Sequence, residues 1–152
     1  MYALRLWSVR HSRGLNTFYR HFESWLVKLD PLWRFIGYQR LERPMAALER
    51  NVKGLLFDCR MCGQCMLSSS GMSCPMNCPK HLRNGPCGGE RANGHCEVRP
   101  EMRCVWVEAV AGSMRIPGGR DAMSDVQVAI DRRLQGSSSW LRVVRERTGG
   151  AA

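Results

Sequence analysis

The 152-residue sequence contains no apolar run long enough to cross a membrane. Its longest uncharged stretch, residues 61–79, is interrupted by cysteine, serine, glycine and proline, so it fails the length test despite lacking charge. The sequence also lacks the signatures of phosphate-binding loops, dinucleotide folds, zinc peptidases and serine hydrolases. These absences predict a chain without a membrane span and without a catalytic centre of its own.

Acidic residues are missing from the start of the chain, because none precedes Glu23. The first 25 residues instead combine four arginines with apolar side chains, a composition shared by organelle transit peptides and basic helical arms. No continuous apolar segment with a small-residue cleavage site follows, which argues against secretion. We therefore expect a cytoplasmic protein whose thiols stay reduced and available to metals.

The net charge of +10 is spread along the chain, with +5 in residues 1–58, +2 in residues 59–108 and +3 in residues 109–152. A nucleic-acid-binding protein is expected to gather its lysines and arginines into one stripe with interleaved aromatic residues. Here the cysteine-rich centre is the least basic part of the chain. Nucleic acid is therefore not an expected partner. The excess of basic residues is equally compatible with binding to an acidic protein surface.

Apolar residues recur at helical spacing in the first part of the chain. The pattern predicts a helix over residues 16–29, ended by Asp30-Pro31, and a second helix over residues 41–56 with Pro44 in its first turn. The second helix ends shortly before the first cysteine, Cys59. The side chains expected on the buried faces of these two helices are Phe18, Phe22, Trp25, Leu26, Leu29, Leu41, Met45, Leu48, Val52, Leu55 and Leu56.

A third apolar stripe predicts a helix over residues 123–134, with Ser124 as its cap and Gly136 as its stop. A short helical segment is expected over residues 140–147, and the tail from Gly149 is expected to fray. The stripe consists of Met123, Val126, Ile130 and Leu134.

The predicted fold is small and mainly α, with amphipathic helices bracing an irregular cysteine-rich metal-cluster lobe. The sequence divides into a basic helical arm (1–58), a cysteine-rich cluster-binding domain (59–108) and a helical C-terminal extension with a frayed tail (109–152). Residues 59–104 hold every cysteine but have little periodicity, so apolar burial cannot offset their ordering entropy. Bound metal is the expected source of order, because metal-binding free energy becomes folding free energy.

The spacing of the eight cysteines favours iron–sulfur chemistry. The first three form a C-x2-C-x2-C run, whereas a single zinc ion commonly takes two separated C-x2-C pairs. Eight thiolates match two [4Fe–4S] clusters, but one [4Fe–4S] cluster plus one zinc ion also uses all eight, and zinc alone or disulfides remain open. The first three cysteines are expected to share a centre whose fourth ligand is left open between Cys78 and Cys104. The candidate ligands are Cys59, Cys62, Cys65, Cys74, Cys78, Cys87, Cys96 and Cys104, with His81 and His95 left out.

Two strings within this segment are far more specific than a C-x2-C pair: C-P-M-N-C-P-K from Cys74 and N-G-P-C-G-G from Asn84. Residues 55–108 resemble the methylenetetrahydrofolate reductase C-terminal-type domain, which is similar to the small MetV-type iron–sulfur subunit of acetogen reductases. The resemblance implies a non-catalytic companion of a flavin-containing reductase that relays electrons to or from that flavin, with no flavin on this chain. It also implies that all eight cysteines are ligands.

Two rival functions stay open beside this one. The first is a zinc-stapled scaffold of the same reductase, and the second is a reductive activator of a corrinoid methyltransferase, which uses the same clusters with another acceptor. Some MetV-type proteins carry further cysteines in an N-terminal portion, whereas residues 1–58 here contain none. That difference argues against an additional metal centre in this part of the chain.

Overall fold

The computed structural model describes residues 2–149, which form seven α-helices and no strand. The predicted small, mainly α class is therefore confirmed. None of the helices in this range is long and apolar enough to span a membrane. The fraying predicted for the tail falls largely on residues 150–152, outside the described range. The helices are α1 (Tyr2–Arg10), α2 (Ser12–Lys28), α3 (Asp30–Ile36), α4 (Tyr38–Phe57), α5 (Val105–Ser113), α6 (Gly119–Ser124) and α7 (Ser139–Arg147), with 3-10 turns at Pro75–Asn77 and Arg132–Leu134.

The two predicted N-terminal helices exist as α2 and α4. Helix α2 ends at Lys28, before Asp30-Pro31 as predicted, and Pro31 lies in the first turn of the next helix, α3, where a missing N–H costs no hydrogen bond. Pro44 was expected in a first turn and instead lies inside α4, which already begins at Tyr38. The apolar pattern did not reveal the polar first turn of α4.

The buried face of α2 differs from the predicted stripe. Phe18 and Trp25, both expected in the core, are 68% and 56% exposed. Tyr19 and Leu26 are the buried residues of this helix that enter the main core cluster. A polar residue, Asn16, is buried beside them. The helix is thus rotated so that the Tyr19 hydroxyl faces the protein interior.

The buried face of α4 is also polar. The predicted core residues Leu48, Val52 and Leu55 are exposed, whereas Glu49 and Lys53 are buried. The rotation is possible because the two buried charges bind each other and hydroxyl groups of neighbouring elements. A buried charge is tolerated when it is paired and hydrogen-bonded in this way.

Two apolar clusters form the core, and each includes cysteines. The first joins α2, α4 and α7 to the loop that follows α4, and the second joins α5 to the later part of the cysteine-rich segment. The cysteine-rich segment therefore packs between the N-terminal and C-terminal helices. The first cluster is Tyr19, Leu26, Phe57, Leu67, Met72, Cys74, Trp140 and Val144. The second is Cys78, Cys96, Met102, Cys104, Val105, Trp106 and Ala109.

The predicted helix over residues 123–134 is wrong. Helix α6 ends at Ser124, which therefore does not cap a new helix, and the following residues have no regular structure up to a 3-10 turn. Val126, expected in the core, is 86% exposed. The short segment over residues 140–147 is confirmed as α7, whose first turn is capped by the Ser138 hydroxyl.

Side chains of the cysteine-rich segment hold this irregular stretch in place. The Asn84 side chain accepts a hydrogen bond from the Gln127 backbone N–H (2.8 Å) and donates one to the Gln127 carbonyl (3.0 Å). Arg83 Nε donates to the Val128 carbonyl (2.8 Å). These bonds satisfy backbone groups that a helix would otherwise pair internally.

The Asn84 bonds lead to a prediction about local mobility. Replacing Asn84 with alanine should release residues 126–129, because the backbone there has few other hydrogen-bond partners. We expect amide hydrogen exchange of Gln127 to rise at least ~10-fold, while exchange in α4 stays unchanged. Ser24→Ala, an exposed change on α2, is the control. Equal exchange at Gln127 in the wild type and the variant would show that the Asn84 hydrogen bonds do not restrain this segment.

Candidate metal centre

The structure separates the eight cysteines into two groups of four. Four of them line one internal cavity of about 20 Å³, together with residues of α4 and α7. We refer to these four, Cys59, Cys62, Cys65 and Cys74, as the first thiol set. The other four belong to the second core cluster, three of them buried within it and Cys87 packed against it. We refer to these, Cys78, Cys87, Cys96 and Cys104, as the second thiol set.

The fourth member of the first set differs from the sequence-based candidates. The sequence left this position open between Cys78 and Cys104, and the structure places Cys74 there instead. The 3-10 turn after Cys74 carries Asn77, whose side chain donates to the carbonyl of Phe57 at the end of α4 (2.9 Å). This bond anchors Cys74 beside the start of the C-x2-C-x2-C run, which the eight-residue interval in the sequence did not reveal.

A strap from the C-terminal part of the chain, residues 134–139, closes over the C-x2-C-x2-C loop. Gly136 donates its backbone N–H to the Met61 carbonyl (2.8 Å), and the Gln135 side chain donates to the Arg60 carbonyl (2.7 Å). Gly63 has a φ of +72°, and a Cβ there would overlap backbone and side-chain atoms of the strap. Glycine is therefore required where the loop and the strap meet.

Backbone N–H groups point at cysteine sulfurs in both thiol sets. The N–H of Met61 donates to Cys59 Sγ (3.3 Å), and the N–H of Gly89 donates to Cys87 Sγ (3.3 Å). In each pair the donor lies two residues after the cysteine. Cys74 and Cys104 also receive backbone N–H bonds, from Met76 and from Trp106 and Val107. Such bonds stabilise a thiolate and tune the potential of a metal centre bound to it.

Without a metal, burial keeps several of these thiols protonated. Burial raises the pKa of Cys59 to about 11, and the N–H of Met61 offsets only part of this effect. Burial also raises the pKa of Cys74, as do the neighbouring Cys59, Cys65 and Cys62. The pKa of Cys104 is raised by burial as well, against its backbone N–H bonds. A cation bound among the sulfurs would reverse this balance, because metal ligation deprotonates thiols.

The donor chemistry of the two sets fits a soft metal. Four thiols around one cavity, with N–H donors on their sulfurs, form a ligand set suited to iron–sulfur clusters or to zinc. All eight cysteines are free thiols. Among residues 2–149, no group of three or more Cys, His, Asp and Glu side chains is arranged to hold a metal ion. What suits these sets to a metal is therefore the chemistry of the thiol donors and the hydrogen bonds to their sulfurs. Among the described residues, a preformed ligand geometry is not part of it.

A buried ion pair lies beside the first thiol set. Lys53 Nζ bonds Glu49 Oε1 (2.8 Å), Ser139 Oγ (2.8 Å) and the Tyr19 hydroxyl (3.1 Å). It also lies 5.2 Å from the ring centroid of Trp140. The Glu49 carboxylate accepts further bonds from Ser138, Ser139 and the Trp140 backbone N–H. Both charges are thus fully paired inside the protein.

The electrostatics link Lys53 to the cysteines. Burial lowers the pKa of Lys53, but Cys65, Tyr19 and Glu49 together raise it above its ordinary value, with Cys65 contributing most among them. Burial raises the pKa of Tyr19, and Cys65 adds to that effect. The ammonium of Lys53 therefore stays charged next to the first thiol set, whereas the Tyr19 hydroxyl stays protonated.

Two further basic residues occupy the loop between Cys78 and Cys87. Arg83 lines the cavity of the first thiol set and donates from Nη2 to the Gln64 carbonyl (3.0 Å). Lys80 instead forms an ion pair with Glu97 at the protein surface. The nearby His95, which the sequence left out of the candidate ligands, has its Nδ1 atom 2.7 Å from the carbonyl oxygen of Pro100. The sequence alone did not distinguish Arg83, which is half-buried at the cavity, from Lys80, which lies at the surface.

Cys65 connects the interior cavity with the surface. A cleft of about 500 Å³ between α2, α6 and α7 has Cys65 in its wall, together with Tyr19 and Arg147. A second cleft, of about 330 Å³, reaches the same cysteine from the side of Gln127 and Glu146. Cys65 is therefore the thiol of the first set that lines both surface clefts.

Sequence analysis missed Glu49 and Lys53. The available signal was their spacing: they lie four residues apart, in line with Met45 and Leu56, on a helix that leads into the first cysteine. A pair at this spacing most often lies on a solvated face. Only the polar groups of α7 and α2, which the sequence does not place, reveal that the pair is internal.

Comparison with known proteins identifies one relationship. A family model described as methylene-tetrahydrofolate reductase C terminal matches residues 38–132, which include all eight cysteines and the whole of α4. No curated protein matches the chain, and no solved structure matches it. The matched segment covers more than half of the chain and extends beyond the 55–108 stretch on which the sequence resemblance was based.

Proposed function

Since the chain belongs to the methylene-tetrahydrofolate reductase C-terminal family, we propose that it is an iron–sulfur accessory subunit of a flavin-containing methylenetetrahydrofolate reductase. In this role it binds two [4Fe–4S] clusters and relays electrons to or from the flavin of the catalytic subunit. The chain itself binds no flavin and catalyses no folate chemistry. It acts in one-carbon metabolism in the cytoplasm.

One observation carries this proposal: the eight cysteines, all inside the family match, form two separate sets of four. Four thiolates are the ligand complement of one [4Fe–4S] cluster. Such clusters supply one-electron transfer, and two centres together provide the two electrons that a flavin takes up or releases. Both directions of flow are compatible with this arrangement.

The residues of this chain prepare each site in three ways. The loops bury the sulfurs, and the backbone N–H groups of Met61 and Gly89 stabilise the thiolate forms. The strap at Gly136 shields the C-x2-C-x2-C loop from solvent. The clefts at Cys65 leave one edge of the first set accessible. We propose that the flavin of the catalytic subunit docks over this edge.

The metal content tests the proposal directly. Protein purified without oxygen should contain about eight iron and eight acid-labile sulfide per chain, with an EPR signal on reduction. The reduced chain should then bleach the flavin of a methylenetetrahydrofolate reductase. Zinc without iron or sulfide would replace the proposal by the zinc-stapled scaffold. Transfer to a corrinoid protein but not to the flavin would replace it by the reductive activator.

A further inference from the structure

We infer that the first thiol set holds the electron-accepting centre of the pair, because Lys53 and Arg83 place positive charge against it inside the protein. The inference rests on the proposed function, since it requires a redox centre in each thiol set. It gives a role to the buried Lys53 and to the half-buried Arg83.

Lys53 is fixed against the cavity by its bonds. Its side chain is 1% exposed, and it lines the same cavity as the four thiols of the first set. Its three hydrogen-bond partners come from α2, α4 and α7, so the ammonium cannot move away from the site without breaking the core. The charge is therefore held where it acts on the centre at short range and in a low dielectric.

Arg83 is the second cation of this cavity. It is tied by Nη2 to the Gln64 carbonyl and by Nε to the Val128 carbonyl. Its Nη1 atom is buried without a hydrogen-bond partner among residues 2–149. An unpaired buried N–H of a charged group is costly. A negatively charged centre among the neighbouring sulfurs would offset that cost.

The second thiol set lacks an equivalent arrangement among the described residues. The basic side chains beside this set are Lys80 and Arg103, which are 33% and 39% exposed and already ion-paired with Glu97 and Glu108. Solvent and the paired carboxylates screen their charges. Near the first set the opposing carboxylate is Glu49, whose oxygens are shared among Lys53, two serine hydroxyls and a backbone N–H.

The direction of the effect follows from charge. An iron–sulfur centre held by four thiolates carries negative charge and becomes more negative by one unit when it accepts one electron, with no proton taken up. Fixed positive charge stabilises the reduced form more than the oxidised form. The first centre should therefore have the higher reduction potential, and electrons shared between the two centres should reside on it.

A redox titration followed by EPR tests this inference. The signal of the first centre is identified as the one lost in Cys74→Ser. Lys53→Met and Arg83→Met should each shift the potential of that signal downward and leave the other signal in place. Glu49→Gln should shift it upward, and Lys53→Arg should restore the wild-type value. Lys80→Met is the matched control and should leave the first signal unchanged.

The series of variants separates an electrostatic role from a structural one. Damage to the fold would shift the potential of the first centre in the same direction in Lys53→Met and Glu49→Gln. The loss of opposite charges shifts that potential in opposite directions in the two variants. If Lys53→Met fails to fold because Glu49 is left unpaired, two other comparisons test the charge of each cation. Arg83→Met is compared with the wild type, and the double variant Glu49→Gln/Lys53→Met, which should have the lower potential, is compared with Glu49→Gln. An unshifted potential in iron-loaded Arg83→Met, together with equal potentials in the double variant and Glu49→Gln, would overturn the inference alone. Wild-type protein without iron would overturn the proposed function as well.

Discussion

Replacing Cys62 with serine is expected to remove one of the two metal centres and leave the other intact. A hydroxyl is a poor ligand for a soft metal, and the remaining three thiols of the first set cannot complete the site. The iron content should fall to about half, and the C-x2-C-x2-C loop should become sensitive to protease. Full iron content in this variant would contradict its assignment as a ligand.

Double variants test how the cysteines are divided. Because Cys62 and Cys74 line one cavity, Cys62→Ser/Cys74→Ser should retain as much iron as either single variant. Cys78 lies in the second core cluster, so Cys62→Ser/Cys78→Ser should lose both centres. Iron and sulfide quantification after oxygen-free purification provides the measurement. The opposite result, with iron retained only in the second double variant, would place Cys78 in the first set.

Replacing Gly112 with alanine is expected to destabilise the protein by about 3 kcal/mol, the upper part of the range for overpacked interiors. A Cβ at Gly112 would overlap the backbone of Gly71, which itself has a φ of +59° and cannot easily shift. The Gly112 carbonyl also accepts a hydrogen bond from Ser12 on α2 (2.9 Å). Helix α5 would therefore separate from both the cysteine-rich segment and the N-terminal helices.

Urea unfolding followed by tryptophan fluorescence measures this effect in variants with equal metal content. Gly54→Ala is the matched control, because Gly54 lies inside α4 and a Cβ there meets no atom within 4 Å. The control should raise the free energy of unfolding by about 0.4–1 kcal/mol, since alanine restricts the unfolded chain. Equal stabilities of the Gly112 and Gly54 variants would show that α5 can move without cost.

The local features of the chain were largely predictable, whereas the arrangement around the cysteines was not. Helical spacing located α2 and α4, and cysteine spacing marked a segment with little periodicity as a candidate metal-binding region. The apolar stripes did not predict which face of each helix is buried. Glu49 and Lys53 are internal because they bind partners on α2 and α7 that are distant in sequence. Hydrophobic periodicity carries no information about such long-range polar partners.

The helix predicted after α6 does not form, for a related reason. Met123, Val126, Ile130 and Leu134 match a helical period, but β-branched residues are weak helix formers, and the backbone there finds other partners. Asn84 and Arg83 pair with it, and both belong to a loop about 43 residues earlier. The position of Cys74 in the first set likewise depends on contacts with residues distant in sequence, in the main core cluster and through the Asn77 bond to α4. A pattern of neighbours along the chain does not predict these contacts.

The strap over the C-x2-C-x2-C loop has a consequence for biosynthesis. The ribosome completes all eight cysteines by residue 104, yet Gln135 and Gly136, which close the loop, are added some thirty residues later. During that interval the nascent chain presents its sulfurs without the final cover. Under the proposed function, an assembly factor could therefore deliver the clusters before translation ends, after which the loop is covered and the first thiol set borders the surface through the clefts at Cys65.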